Sequence, residues 1–166
     1  MDKKQELLKR IDNVFPIIDK PKQITDGCIR KGCVETEQRF SNSKKTRETL
    51  NKEDIMWLSS ELAVLPDNSF YYFIPEILKA ALNDLESVNI DIVVQNLFIP
   101  KFSQNEQDIK EKQRIEKRFS QFTPEQANLI ADILLSWEKQ GIGWEEEIKR
   151  SLPFWEKLAK LKDTIR

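Results

Sequence analysis

The sequence predicts an all-α protein folded as a single compact domain of six to eight helices. Two features of its 166 residues support this prediction. Only four glycines are present, too few for a fold built from many tight hairpins. Apolar residues also recur at the three- and four-residue spacing that places them on one face of a helix. A chain of this length can bury roughly 70% of its unfolded surface, so we expect no disulfide or metal to be required for stability.

The first third of the chain contains one clear helix and one long connection. Residues 2–15 have the spacing of an amphipathic helix, which Pro16 ends. Residues 16–32 hold two prolines and two glycines with little periodicity, so we expect a long connection there. Connections of this length in compact domains are often functional or mobile. A short helix is expected over residues 34–40.

Asn51 is predicted to cap the next helix, which runs to about residue 64. Its side chain can accept a hydrogen bond from a first-turn amide. Glu53 and Asp54 would lie in that first turn, where negative charge is favoured by the helix dipole.

The most apolar part of the chain is residues 65–78, which hold four of the fifteen aromatic residues. We expect this segment to form the centre of a helical core. Asp67 or Ser69 is predicted to cap its helix. Pro75 predicts either a kink, or a short helix up to Phe73 followed by a new helix from Pro75.

Several shorter patterns complete the predicted helices up to Gly141. The β-branched run Ile90-Asp-Ile-Val-Val has no partner strand nearby, so we predict a short helix from Asp91 to Phe98. Residues 104–119 are expected to form a charged helix. Thr123-Pro-Glu-Gln combines a capping threonine, a proline at the first helical position and a glutamine at the third. The helix that it opens should end at Gly141.

The last part of the chain is expected to contain two helices. Trp144-Glu-Glu-Glu should start a short one, and Pro153 should open the final one, with Leu158, Leu161 and Ile165 on one side. Seven apolar residues from the two strongest helical patterns are expected to share one core: Phe70, Phe73, Ile77, Leu78, Ile130, Leu134 and Trp137.

The chain contains no histidine, and this excludes several classes of chemistry in their usual forms. Serine and cysteine triads, histidine general bases and most transition-metal sites need an imidazole group. Chemistry based on carboxylates or lysines stays open, but no pair is singled out. We therefore predict no catalytic residue, no cofactor and no metal ligand.

Cys28 and Cys33 are the only cysteines. Their Cys-x4-Cys spacing, without histidine, matches no structural zinc pattern. No segment has the apolar length of a membrane span or the pattern of a signal peptide, so we expect a cytoplasmic protein. In that reducing compartment the two cysteines are expected to be free thiols, with neither a disulfide nor a metal.

The charges are unevenly distributed along the chain. Residues 51–99 carry 2 Lys/Arg against 8 Asp/Glu, whereas residues 1–50 carry 12 against 8 and residues 100–166 carry 13 against 12. The formal net charge is −1. An acidic middle and a nearly neutral total do not favour nucleic-acid binding.

Four motifs resemble a family of small uncharacterised bacterial helical proteins. They are Gly32-Cys-Val-Glu-Thr-Glu, Lys45-Thr-Arg-Glu-Thr-Leu, the segment Leu65-Pro-Asp-Asn-Ser-Phe-Tyr-Tyr-Phe-Ile-Pro-Glu-Ile-Leu, and Phe122-Thr-Pro-Glu-Gln. The resemblance covers roughly residues 5–138. It implies a helical, non-secreted bacterial protein, with residues 1–141 as the family-like core and residues 142–166 as a C-terminal helical extension. By analogy, small helical proteins of this kind are often immunity partners of toxins.

These observations favour a protein that binds another macromolecule over an enzyme. The expected function is a non-catalytic protein-binding module of the immunity or inhibitor type, with a basic protein as its partner. Trp144, Glu145, Glu146 and Glu147 are the predicted contact, because tryptophan anchors interfaces and clustered carboxylates steer a cationic partner. The same glutamates could instead only stabilise their own helix start. The alternative function is a carboxylate-based hydrolase or transferase whose site the sequence does not reveal.

Overall fold

The structure, a computed structural model, describes residues 2–102 and 105–161. This described part contains helices and connecting loops and no strand, so the all-α prediction is confirmed. Its eight α-helices are α1 (Lys3–Val14), α2 (Lys31–Phe40), α3 (Lys52–Ser60), α4 (Asp67–Asn83), α5 (Ile90–Gln95), α6 (Glu106–Phe119), α7 (Pro124–Gln140) and α8 (Glu145–Lys160). Three short 3₁₀ turns lie between them, at Arg47–Thr49, Leu62–Val64 and Leu85–Ser87. The predicted helix start at residue 104 and the predicted position of Ile165 lie outside the described residues.

The chain divides into two compact units. The middle unit is Phe15–Asn96, and the terminal unit combines α1 with the chain from Leu97 onward. All seven predicted core residues are buried, four in the middle unit and three in the terminal unit. That the seven share one core stays a prediction.

The middle unit is built on α4, against which α3 packs. Helix α3 also contacts α5. Ten residues of α4 are buried, and they cover most of its circumference: Ser69, Phe70, Tyr72, Phe73, Ile74, Pro75, Ile77, Leu78, Ala81 and Leu82. Asn51 caps α3 as predicted, because its side chain accepts from the Asp54 amide at 2.9 Å and the Asp54 carboxylate accepts from the Asn51 amide at 3.2 Å.

Helix α4 is continuous through Pro75, so the predicted break after Phe73 is wrong. Pro75 removes one backbone donor, a loss that usually weakens a helix. Its ring is buried, however, and Ile74 and Ile77 beside it are fully buried. We attribute the continuity to this burial on both sides of the proline. The cap was also predicted wrongly, since Pro66 precedes the helix without a side-chain cap and Asp67 is its first residue.

The terminal unit is built on α7, which packs against α8 and α1. Thr123 and Gln126 form the predicted capping box, and Gly141 ends the helix with a φ of 67° as predicted. The fully buried Gln126 side chain has a second role. Its Oε1 accepts from the Thr123 amide at 2.8 Å, while its Nε2 donates to the Val14 carbonyl at 2.7 Å. The side-chain amide of Gln126 therefore forms hydrogen bonds with backbone groups at both the start of α7 and the end of α1.

Helix α8 is continuous through Pro153, so the predicted pair of helices at this end is one helix. Ile148, Ser151 and Trp155 are its buried residues, and their spacing keeps one face inward on both sides of the proline. Trp155 packs against Phe119 with ring centroids 4.5 Å apart. Its indole nitrogen also donates to the Leu97 carbonyl at 3.0 Å.

Removal of core side chains tests the packing of each unit. Leu78→Ala in the middle unit and Leu134→Ala in the terminal unit should each lower the free energy of unfolding by about 2–5 kcal/mol, because both side chains are fully buried. Denaturant unfolding followed by circular dichroism measures the change. Met56→Ala and Leu161→Ala, at 39% and 53% exposure, are the controls and should cost within about 0.5 kcal/mol. Equal losses in cores and controls would contradict the packing described.

Candidate protein-interaction surface

The predicted contact residues lie together at the start of α8, in the terminal unit. Trp144 directly precedes the helix and is half-buried, and its ring packs against that of Phe98 with centroids 5.7 Å apart. Glu145, Glu146 and Glu147 form the first helical turn. The structure therefore brings all four residues to one helix end.

Glu147 and Glu145 each have a partner among the described residues. Glu147 Oε1 lies 3.8 Å from the Arg150 guanidinium, and Glu145 Oε1 accepts a long hydrogen bond of 3.4 Å from the Gly143 amide. Glu146 is exposed. These contacts reduce the negative charge offered to a partner, and they fit a role in the helix start as well as one in binding.

A second surface is formed by the connection between α1 and α2, residues Phe15–Arg30, which we call the braced segment. It contains no helix, so most of the connection predicted over residues 16–32 is confirmed, although α2 already begins at Lys31. Buried or half-buried charged side chains hold the segment along its length. Arg47 is 5% exposed, and its Nη2 donates to the Phe15 and Pro16 carbonyls at 3.2 and 2.8 Å. Its Nε donates to Glu48 at 3.1 Å. This arginine fixes the first residues of the segment.

Tyr72 fixes Arg47 in turn. Its hydroxyl accepts from the Arg47 backbone amide at 3.0 Å, and the guanidinium lies 6.0 Å from the centre of its ring. Burial raises the pKa of Tyr72, so the hydroxyl stays protonated at neutral pH. The first anchor of the braced segment is thereby attached to the buried face of α4.

Lys20 provides the second anchor. Its ammonium group donates to the carbonyls of Phe40 at 3.0 Å and Ser43 at 2.6 Å, at and just beyond the end of α2. Cations favour this position because the last carbonyls of a helix have no helical partner. Ser41 adds a hydrogen bond of 3.0 Å from its hydroxyl to the Lys22 carbonyl.

Glu37 provides the third anchor, from the middle of α2. Its Oε2 accepts from the Ile24 amide at 3.0 Å, the Thr25 amide at 2.7 Å and the Thr25 hydroxyl at 3.0 Å. Burial acts to raise the pKa of Glu37, but hydrogen bonds from Thr25, Ser41 and Ile24 outweigh it and hold this pKa below its usual value. The carboxylate therefore stays charged at neutral pH.

The anchored backbone places isoleucines on opposite sides of the segment. Ile24, whose amide donates to Glu37, is fully buried, whereas Ile17 is 81% exposed and Ile29 is 96% exposed. Ile18 is also exposed. The fixed segment thus presents large apolar side chains to solvent near both of its ends.

Cys28 and Cys33 form a disulfide, so the prediction of two free thiols is wrong. The prediction rested on the expected compartment, whereas pairing depends on geometry. The two Cα atoms lie 5.8 Å apart, within the range that a disulfide spans. The bridge joins the end of the braced segment to the first turn of α2, where Cys33 is fully buried and Cys28 is partly exposed.

Asp26 lies beside this bridge. Its carboxylate accepts from the Cys28 amide at 3.0 Å, and one of its oxygens and both sulfurs lie within 4.8 Å of one another. A disulfide sulfur carries no thiolate charge, and the thiolate is the form of cysteine that binds metals. In the bridged state the group therefore offers one anionic donor.

Glu48, Asp54 and Glu111 also have shifted pKa values, and each shift results from hydrogen bonds that the carboxylate accepts within the fold. Burial acts to raise the pKa values of Glu48 and Asp54, but hydrogen bonds lower them overall, for Asp54 from Lys45, the Asn51 amide and Arg39. The Arg114 guanidinium lowers the pKa of Glu111.

Three surface cavities of about 460, 300 and 310 Å³ are each lined by one carboxylate, respectively Asp132, Asp84 and Glu116.

The chain belongs to a family of unknown function (DUF6714), whose model matches residues 3–157. The match runs past residue 138, where the motif resemblance ended. Neither a curated protein nor a solved structure matches the chain. Among the helices of the described residues, none combines the length and the apolar character needed to cross a membrane.

The charge of Glu37 can be tested through the pH dependence of stability. Glu37→Gln keeps an acceptor but removes the charge, so it should lower the free energy of unfolding by about 1 kcal/mol at neutral pH. Because the folded pKa is lowered, the wild-type advantage is present above the unfolded pKa, about 4.3, and is lost as pH falls through the folded value. Denaturant unfolding at about pH 7 and about pH 3 measures both proteins.

Glu35→Gln is the matched control, since Glu35 lies on the same helix and forms a surface ion pair with Lys31 at 3.6 Å. It should change stability little at either pH. A Glu37→Gln loss that does not shrink in acid would contradict the role given to the charge.

Proposed function

We propose that this chain is a non-catalytic protein-binding module of the immunity or inhibitor type. The observation that carries the proposal is the braced segment, which holds Ile17 and Ile29 in solvent on a fixed backbone. Its proposed setting is the bacterial cytoplasm, and its proposed partner is another protein with apolar pockets for these side chains.

The exposure of the two isoleucines is costly in a free protein. Burying such a side chain is worth about 1.5–3 kcal/mol, so an unanchored loop would tend to cover it. Arg47 and Lys20 oppose this by fixing the backbone on either side of Ile17, and the Cys28–Cys33 bridge fixes the backbone beside Ile29. A loop that is already ordered loses little conformational entropy on binding, so its apolar contacts contribute more fully to affinity.

The alternative, a carboxylate-based hydrolase or transferase, has less support. A carboxyl group that acts as a general acid near neutral pH needs a raised pKa. Glu37, Glu48, Asp54 and Glu111 have lowered pKa values, the opposite of what this role needs. Each of the three cavities described above also lacks a second carboxylate to complete an acid–base pair.

The acidic surface at Trp144–Glu147 forms the second part of the proposal. Here the partner would be basic, with Trp144 as an anchor and the three glutamates as a source of electrostatic steering. Its support is the convergence of an aromatic ring and an exposed carboxylate, Glu146, at one helix end.

Charge placed on the braced segment tests the first surface. Ile29→Glu should weaken the complex at least about tenfold, because a charge would enter an apolar pocket without a partner. Proteins retained by the immobilised wild type from an extract of the native host are identified first. Their affinities for each variant are then measured by calorimetry with purified components.

The control is Ile109→Glu, an equally large apolar residue at 48% exposure on α6. Binding should be unchanged by this substitution, and both variants should unfold at the wild-type denaturant concentration. A partner that binds Ile29→Glu and Ile109→Glu equally well would refute the role of the braced segment.

Charge reversal tests the acidic surface independently. The triple change Glu145/Glu146/Glu147→Lys should slow association steeply and remove much of its salt dependence, while the helix becomes only slightly less stable. Association rates at two salt concentrations, for wild type and variant, provide the measurement. Unchanged rates with a small stability loss would assign these glutamates to the helix start alone.

A further inference from the structure

The Cys28–Cys33 bridge lies at an accessible edge of the middle unit. Cys28 is partly exposed and its neighbour Ile29 is 96% exposed, whereas Cys33 is fully buried. A nucleophile from solvent can therefore approach one end of the bridge and not the other. This asymmetry distinguishes the pair from a structural disulfide enclosed in a core, which resists attack.

We propose that this bridge is a site of thiol–disulfide exchange with small cellular thiols, and that the incoming thiol attacks the Sγ atom of Cys28. The thiolate of a small thiol attacks Cys28 Sγ, the bond between the two sulfurs breaks, and its electron pair leaves on Cys33 Sγ, which takes up a proton. A second small thiol attacks the sulfur of the first and releases Cys28. The small thiols become a disulfide, and the two electrons they lose reduce both cysteines.

Access decides the direction of attack. The position of Cys33 in the first turn of α2 favours its departure as a thiolate, because the amides there have no helical partner. The Glu61 carboxylate opposes this effect, since it lies beside Gly32, within 3.0 Å of where a Cβ would stand. The buried position of Cys33 leaves Cys28 as the sulfur that an incoming thiol can reach.

Reduction would release one end of the braced segment. The bridge ties Cys28 to α2, and the next anchor along the segment is Glu37, at Ile24 and Thr25. Residues 26–30 would then be held by that anchor and by the first bond of the helix, from the Val34 amide to the Arg30 carbonyl at 3.1 Å. Ile29 would lose its fixed position. Any effect of this change on partner binding rests on the proposed function, whereas the exchange reaction does not.

Peptide mapping of the wild-type protein tests which sulfur reacts. The oxidised protein is treated briefly with limiting glutathione. Free thiols are then blocked with excess iodoacetamide, and trypsin is added. Cleavage after Lys22, Arg30, Lys31 and Arg39 separates Cys28 and Cys33 onto peptides 23–30 and 32–39. Glutathione should be found on peptide 23–30 in excess on the order of tenfold, with the blocking group on peptide 32–39. Glutathione mainly on peptide 32–39, or no reaction until denaturant is added, would overturn the proposal.

Native proteolysis tests the structural consequence without any partner. Brief trypsin treatment should cut the Arg30–Lys31 bond several-fold faster after reduction, because cleavage requires a mobile backbone. The Cys28→Ser/Cys33→Ser double variant is the control, and its cutting rate should not respond to glutathione. An unchanged rate in the wild type would show that the bridge does not fix the segment. Failure of Ile29→Glu to affect binding would reject the role of the braced segment in binding and leave both of these results standing.

Discussion

The architecture of the middle unit depends on one constraint: a segment without helix or strand must still pair its backbone polar groups. Arg47, Lys20 and Glu37 meet this need for the braced segment or for the helix end beside it. Each of the three makes at least two hydrogen bonds with backbone groups, and each would be costly to bury without them. The charged groups and the irregular backbone are therefore stabilised together, and neither arrangement would persist alone.

This mutual dependence gives the segment its proposed use. A flexible loop would bury its isoleucines or lose entropy on binding, whereas the anchored one displays Ile17 and Ile29 with little further ordering. The disulfide adds a covalent anchor at the end nearest Ile29. A binding surface held partly by a reducible bond can respond to the thiols around it without a change elsewhere in the fold.

Local patterns in the sequence predicted the local structure well. Asn51, Thr123 and Gly141 were assigned correctly because a cap depends on residues within one turn. The continuity of α8 through Pro153 was missed, and that of α4 through Pro75 was left open between a kink and a break, because it depends on burial from both sides. The braces were missed because they join distant residues, 12 apart for Thr25–Glu37 and 32 apart for Phe15–Arg47. The disulfide joins residues only five apart, and it was missed because the prediction rested on the expected compartment and spacing alone does not reveal that the two Cα atoms lie 5.8 Å apart.

The central claim is that the braced segment is fixed in the free protein, and hydrogen exchange of the Ile24 and Thr25 amides tests it most directly. Both amides donate to Glu37 and both residues are buried. Measured by NMR on the oxidised wild-type protein, they should exchange within about tenfold of the amides of α2, because opening them requires the anchor to break. Exchange at the rate of an unstructured peptide would show that the segment is mobile, and it would contradict the account of a preformed binding surface.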